Sequence, residues 1–229
     1  MIYSAIPGEQ VEVRTFFDTG TDSVSKLLEN PGQLRYAGWD MQTLDRARIV
    51  TGEYLEVRNG DRKIIALYRD GTLIARVSAG EDFLGHASKH REGNIDLRIN
   101  PIALVEFTYN FVEFYRKAIS FLEPRPKTIQ LSVHVKDAFL KDGGKLYLIP
   151  YGVKTWAWEF DDDKSFAPEN DKQIFLLVDC DRLASDVAGA AYDLLKEIYG
   201  WFGLSADKIP YTVEKEGHKF VNPDEIKVD

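Results

Sequence analysis

The sequence predicts an α+β protein: a mainly antiparallel sheet, with a three-strand meander in it, packed against two long amphipathic helices. Three observations predict this. The turn dipeptides Asn59-Gly60 and Asp70-Gly71 divide one run into three strands, and apolar residues recur at helical spacing in two long segments. Strand and helix segments are also segregated rather than strictly alternating.

Taken in order, QVEVRTFF alternates like a strand, and TDSVSKLLEN reads as a short helix with a Thr/Asp cap, ending near Asn30-Pro31-Gly32. The meander follows in EYLEVRNGDRKIIALYRDGTLIARVSAG. EDFLGHASKHREG has an acidic start, a basic end and a following Gly93, which suit a short helix and its dipole. In INPIALVEFTYNFVEFYRKAISFLEP, Asn100 caps, Pro101 fits the first turn and Pro124 ends a long helix whose stripe runs through Phe107, Phe111, Tyr115 and Ile119.

In the second half, KTIQLSVHVKDAF and KLYLIPYG read as strands joined by a turn around residues 141–144, followed by strands at TWAWEF and QIFLLVDC. The last long helix runs through DVAGAAYDLLKEIYGWFG, with Val187, Ala190, Ala191, Leu194, Ile198 and Phe202 buried and Gly203 as its stop. The tail carries at most short strands. Residues 1–229 read as one α+β domain, with a subdivision near 123–127 as the alternative.

The single cysteine, Cys180, excludes an internal disulfide, and its alternation with Ile174, Leu176 and Val178 places the thiol on an apolar side. No stretch approaches the roughly 18 apolar residues of a membrane span. A cytoplasmic protein with no membrane partner is expected. The net charge of −8 argues against broad attraction to nucleic acid or anionic lipid. Half of it falls between Glu159 and Lys172, where six acids face two bases.

That acidic stretch, FDDDKSFAPENDK, is the first candidate site. Read as a calcium loop from Asp161, it offers Asp161, Asp163 and Ser165, but has Phe166 where glycine is needed and Lys172 where a bidentate glutamate is needed. Successive aspartates of an extended chain diverge, which leaves Asp161 and Asp163 as the pair able to share an ion. A solvated connection outweighs a metal site here. His86 and His90 share a helical face at metal-binding spacing, yet HASKH lacks the glutamate of a zinc-enzyme helix, and a third ligand such as Glu92 or His218 is not specified. His134 reads as a surface residue of a half-buried strand.

Two further candidates concern binding. Trp156, Trp158 and Phe160 share one face of a strand, a platform for stacking or a core layer. In the meander, Tyr54, Glu56 and Arg58 share one face of the first strand and Ile74 and Arg76 one face of the third, with Arg62, Lys63 and Arg69 near the turns. Such a patch suits phosphate or bases, but Glu56, Asp61, Asp70, Glu81 and Asp82 also suit a cross-strand lattice of ion pairs. No P-loop, GxGxxG, GxSxG, CxxC or HExxH pattern occurs.

GWDMQTL with EYLEVRNGDRKIIALYRDGT, then NPIALVEFTYNFVEFY, then IPYGVKTWAWEFDDDKSFAPEN with WFGLSADKIPYT resemble the C-terminal region of uncharacterised bacterial proteins described as ATP-binding or as carrying a Schlafen-type AlbA DNA-binding domain upstream. The resemblance covers most of Gly38 to Thr212 and implies a bacterial defence or nucleic-acid setting by association. It transfers no functional residues.

The expectation is therefore a non-enzymatic accessory or protein-interaction domain without a cofactor, with Trp156, Trp158, Arg58 and Arg76 as binding residues and a protein as partner; nucleic acid is not favoured by the net charge. The alternative is a divalent-metal hydrolase or nuclease using Asp161, Asp163, His86 and His90.

Overall fold

Gly60 and Gly71 adopt φ of 56° and 78°, left-handed values that cost glycine nothing because it lacks a Cβ. The meander they close is present in the computed structural model of the chain. The structure describes residues 1–36, 38–43, 45–80, 83–85, 97–151 and 165–228. From the N-terminus the elements are β1 (Ile2–Pro7), β2 (Glu12–Val13), α1 (Val24–Glu29), β3 (Arg48–Val50), β4 (Tyr54–Asn59), β5 (Lys63–Tyr68), β6 (Leu73–Val77), β7 (Arg98–Ile99) and the long helix α2 (Pro101–Ala118). There follow β8 (Leu122–Glu123), β9 (Thr128–Val135), β10 (Tyr147–Leu148), β11 (Ser165–Phe166), β12 (Lys172–Asp179), α3 (Cys180–Ser185), α4 (Val187–Trp201), β13 (Thr212–Lys215), β14 (His218–Val221) and α5 (Pro223–Val228).

Among the described residues the main sheet has seven strands in the order β12-β9-β1-β6-β5-β4-β3, and all its pairings are antiparallel. The fold is α+β with a mainly antiparallel sheet, and α2 and α4 are its two long helices. The sheet takes strands from both sides of residues 123–127, because β1 lies between β6 and β9. Among the described residues no helix is long and apolar enough to cross a membrane.

One face of the sheet meets α2 and α4. Tyr3 of β1 sits 5.0 Å from Phe107 and 5.4 Å from Phe111, centroid to centroid, and its hydroxyl shares a 3.0 Å hydrogen bond with Thr108. Phe107 and Phe111 are fully buried, each stabilising the fold by about 1.5–3 kcal/mol. The start of α2 is set as the sequence predicts: Asn100 Oδ1 accepts from the Ile102 N–H at 3.0 Å and Pro101 follows. Asp186 caps α4 by accepting from the Gly189 N–H at 2.8 Å, and Gly203 lies just beyond its end at φ 75°. Cys180 is buried, at the first position of α3.

Several elements differ from the sequence reading. QVEVRTFF gives only the two residues of β2, which pair with β8, because the chain turns at Thr15 with φ 57°. Ser23 rather than a Thr/Asp pair occupies the cap of α1, and its hydroxyl bonds Gly20 and Ser25 instead of the helix N–H groups. Helix α2 stops before Pro124, passing through a 3₁₀ turn at Ile119–Phe121 into β8. Strand β9 does not form a hairpin with β10: β9 pairs with β1 and β12, whereas β10 joins β7 and β11 in a small sheet. The tail ends in α5, where Asn222 Oδ1 accepts from the Asp224 N–H at 3.1 Å and Pro223 opens the first turn. The short helix predicted in EDFLGHASKHREG and the strand predicted at TWAWEF fall largely or wholly outside the described residues.

Candidate interaction surface

Successive side chains of a strand point to opposite faces, so the face turned away from α2 and α4 collects every second residue. Cross-strand register arranges these in rows. One row reads Gln173, His134, Ile2, Arg76, Ile64 and Arg58, from β12 to β4. The next reads Phe175, Ser132, Ser4, Ile74, Ala66 and Glu56, ending at Arg48. A third, shorter row places Leu177 beside Gln130 and Ile6.

The two ends of this outer face differ in chemistry. At the β12 end, Phe175 and Leu177 are 66% and 65% exposed and Ile6 is 37% exposed. Large apolar side chains left in water next to one another mark a surface with a binding role more often than scattered ones do. At the β4 end, the buried Glu56 carboxylate lies between two guanidiniums, 2.6 Å from Arg58 and 2.7 Å from Arg48. The hydrogen bond from Arg58, then that from Arg48, hold the Glu56 carboxyl below its ordinary range against the opposing effect of burial. Tyr54 and Tyr68 pair at 4.9 Å on the same face.

The structure therefore brings Arg58 and Arg76 into one row, two strands apart with Ile64 between them, a spacing of about 10 Å. Arg58 is committed to Glu56, whereas Arg76 is exposed. The neighbouring cations of the meander are dispersed. Arg62 donates to Asn59 Oδ1, and Arg69 lies over the Phe17 ring at 5.5 Å. Lys63 leaves the patch altogether: it points to the helix side, 3% exposed, where Nζ donates to the Asp40 carbonyl at 2.7 Å and lies 5.0 Å from the Phe83 ring. Burial pushes the Lys63 ammonium below its ordinary pKa, although Asp40 opposes this.

Trp156, Trp158, Asp161, Asp163, His86 and His90 lie outside the described residues. The described part of the acidic stretch is tied to neighbouring elements. Ser165 Oγ donates to the Phe202 carbonyl, Phe166 packs on Tyr147, Glu169 accepts from Trp201 Nε1 at 3.1 Å and pairs with Lys172, and Asp171 bonds His134 at 2.6 Å. His218 bonds Asp186 at 3.0 Å. Among the described residues, no three His, Cys, Asp or Glu side chains converge as a metal would require.

The sequence reading missed the apolar end of the outer face. It used the inward alternation of QIFLLVDC for Ile174, Leu176, Val178 and Cys180, and the same alternation points Phe175 and Leu177 the other way. It also missed β1, whose Tyr3 and Ala5 are fully buried and whose Ile6 borders Leu177 through Gln130. No family model, curated protein or solved structure matches the chain.

Proposed function

We propose that the protein is a non-enzymatic interaction domain that binds a protein partner on the outer face of its seven-stranded sheet. The observation that carries this reading is the exposure of Phe175 and Leu177, at 66% and 65%, on a sheet face that carries Arg76 on its middle strand and Arg58 toward the far end. Apolar anchors on a face that also carries arginine and tyrosine match the composition of protein-binding surfaces. A net charge of −8 and a carboxylate set between Arg48 and Arg58 disfavour the phosphate backbone of a nucleic acid. The resemblance to the C-terminal region of Schlafen-type AlbA proteins would place such a domain in a nucleic-acid or defence assembly, with this chain making the protein contact.

The test is to capture a partner on the immobilised chain, purify it, and titrate it calorimetrically into wild type, Phe175→Ser with Leu177→Ser, and Arg58→Glu with Arg76→Glu. The apolar double variant should bind at least tenfold more weakly while melting close to wild type, because both side chains are largely in water already. Equal affinity for wild type and both variants would sink the proposal.

A further inference from the structure

The two edges of the main sheet are built differently. Edge strand β3 has three residues and begins with a charged one, Arg48, which is how monomeric proteins protect an edge from pairing. Edge strand β12 has eight residues, and its interior from Gln173 to Val178 contains no charge, proline or glycine. Among the described residues no strand pairs with its outer side. Its backbone is oriented for such pairing. The Cys180 N–H donates to the Lys127 carbonyl at 2.8 Å, continuing the β9 ladder. Alternate residues of an antiparallel strand share that direction, so Gln173, Phe175 and Leu177 direct their N–H and C=O groups to the open edge.

We infer that β12 pairs with β12 of a second copy, antiparallel, about a two-fold axis through Leu176. The sequence of the strand is self-complementary in this register and poorly so in the adjacent one. Centring on Leu176 sets Phe175 opposite Leu177 of the other copy, and Leu177 opposite its Phe175, as hydrogen-bonded pairs on the outer face. On the helix side Ile174 meets Val178 and the half-buried Leu176 meets its own symmetry mate. Gln173 falls opposite Asp179, an amide donor against a carboxylate. Centring on Phe175 instead would oppose Asp171 to Asp179 and Gln173 to Leu177. The pairing is isologous, so it closes at two copies, and it joins the two apolar ends into one central strip with the arginines of each copy on its flanks.

Sedimentation equilibrium of the full chain over a concentration series should give twice the monomer mass. Leu176→Cys should cross-link the copies on mild oxidation, because a non-hydrogen-bonded pair on the axis has Cα atoms about 4.5 Å apart, within disulfide range. Gln173→Cys, with its mates about 20 Å apart, should not. Phe175→Pro removes an edge-facing N–H without touching the β9 ladder and should return the monomer. A monomer at every concentration, a dimer that Leu176→Cys fails to cross-link, or a folded Phe175→Pro that stays dimeric would each overturn the inference. The mass reports the edge and the partner titration reports the outer face, so the dimer and the proposed function fail separately.

Discussion

Arg35→Met removes the guanidinium that faces the fully buried Glu106 carboxylate of α2. Arg35 donates to Glu106 Oε2 through two nitrogens, at 2.9 and 3.2 Å, and the side chains are 16% and 0% exposed. Breaking a buried pair from one side strands the other charge, a loss of about 3–5 kcal/mol, and the partial exposure of Arg35 places the expectation at the lower end. For a chain of this size, about 3 kcal/mol lowers Tm by roughly 6–12 °C. Glu106→Gln should cost less, because it removes the buried charge and leaves a guanidinium that can still reach water. Burial raises the Glu106 carboxyl above its ordinary 4.5 despite Arg35 and the Trp39 backbone N–H. The folded state therefore holds this proton more tightly than the unfolded chain does. The stability it contributes is full below the unfolded pKa and is lost as pH rises through the folded one. Without Arg35 the upward shift grows, so the Arg35→Met deficit, measured by urea unfolding, should shrink as pH falls from neutrality toward 4.5. A deficit under about 1 kcal/mol at neutral pH, or one independent of pH, would show that Glu106 is not a desolvated carboxylate dependent on Arg35.

The two meander glycines should respond differently to the same change. A Cβ on Gly60 meets nothing within 4 Å, so Gly60→Asn should stay within about 1 kcal/mol of wild type, whereas on Gly71 it meets Leu122 at 2.8 Å and Val11 at 3.0 Å, and Gly71→Asn should lose about 1–3 kcal/mol more. Equal Tm values for the two variants would contradict this. Lys63, whose pKa burial lowers from 10.5, binds its proton less tightly folded than unfolded, so wild type should gain stability over Lys63→Met as pH rises toward 10.5; a constant difference in chemical denaturation would argue against a desolvated ammonium. Tyr115→Phe leaves the Gly71 carbonyl without its 3.1 Å donor and should cost about 1–2 kcal/mol by the same assay, with no loss indicating that water replaces the hydroxyl.

Where the sequence carried a local device, the fold was legible from it. Asn59-Gly60 and Asp70-Gly71 specify tight turns whatever surrounds them, and Asn100-Pro101 starts a helix by supplying a side-chain acceptor and a preset φ. Pairing across distance was not legible. Nothing near Thr128–Val135 announces that this strand bonds Ile2–Pro7 and Lys172–Asp179 and not its neighbour Tyr147–Leu148, because strand partners are chosen by burial of whole faces. Helix α5 is legible in the same way: Asn222-Pro223 repeats the cap and first-turn proline that identify the start of α2, and Asp224 and Glu225 add first-turn acids.

The candidate surface shows the same division. Alternation alone put Arg58 with Glu56 and Arg76 with Ile74, and the pairing of Arg48, Glu56 and Arg58 follows the ion-pair alternative weighed for the meander, although Arg48 comes from a strand the alternation was too short to reveal. Lys63 illustrates the limit, since period 2 from Arg58 through a turn cannot tell which side a hairpin's first residue takes, and it took the core. In the central IFLLV of QIFLLVDC both alternating sets are apolar. Such a strand is expected at the centre of a sheet covered on both faces, yet β12 lies at an edge with Phe175 and Leu177 in water. That mismatch between a two-sided apolar strand and a one-sided position could be recognised only once the sheet order was known, and it is what a second strand and a partner across the outer face would resolve.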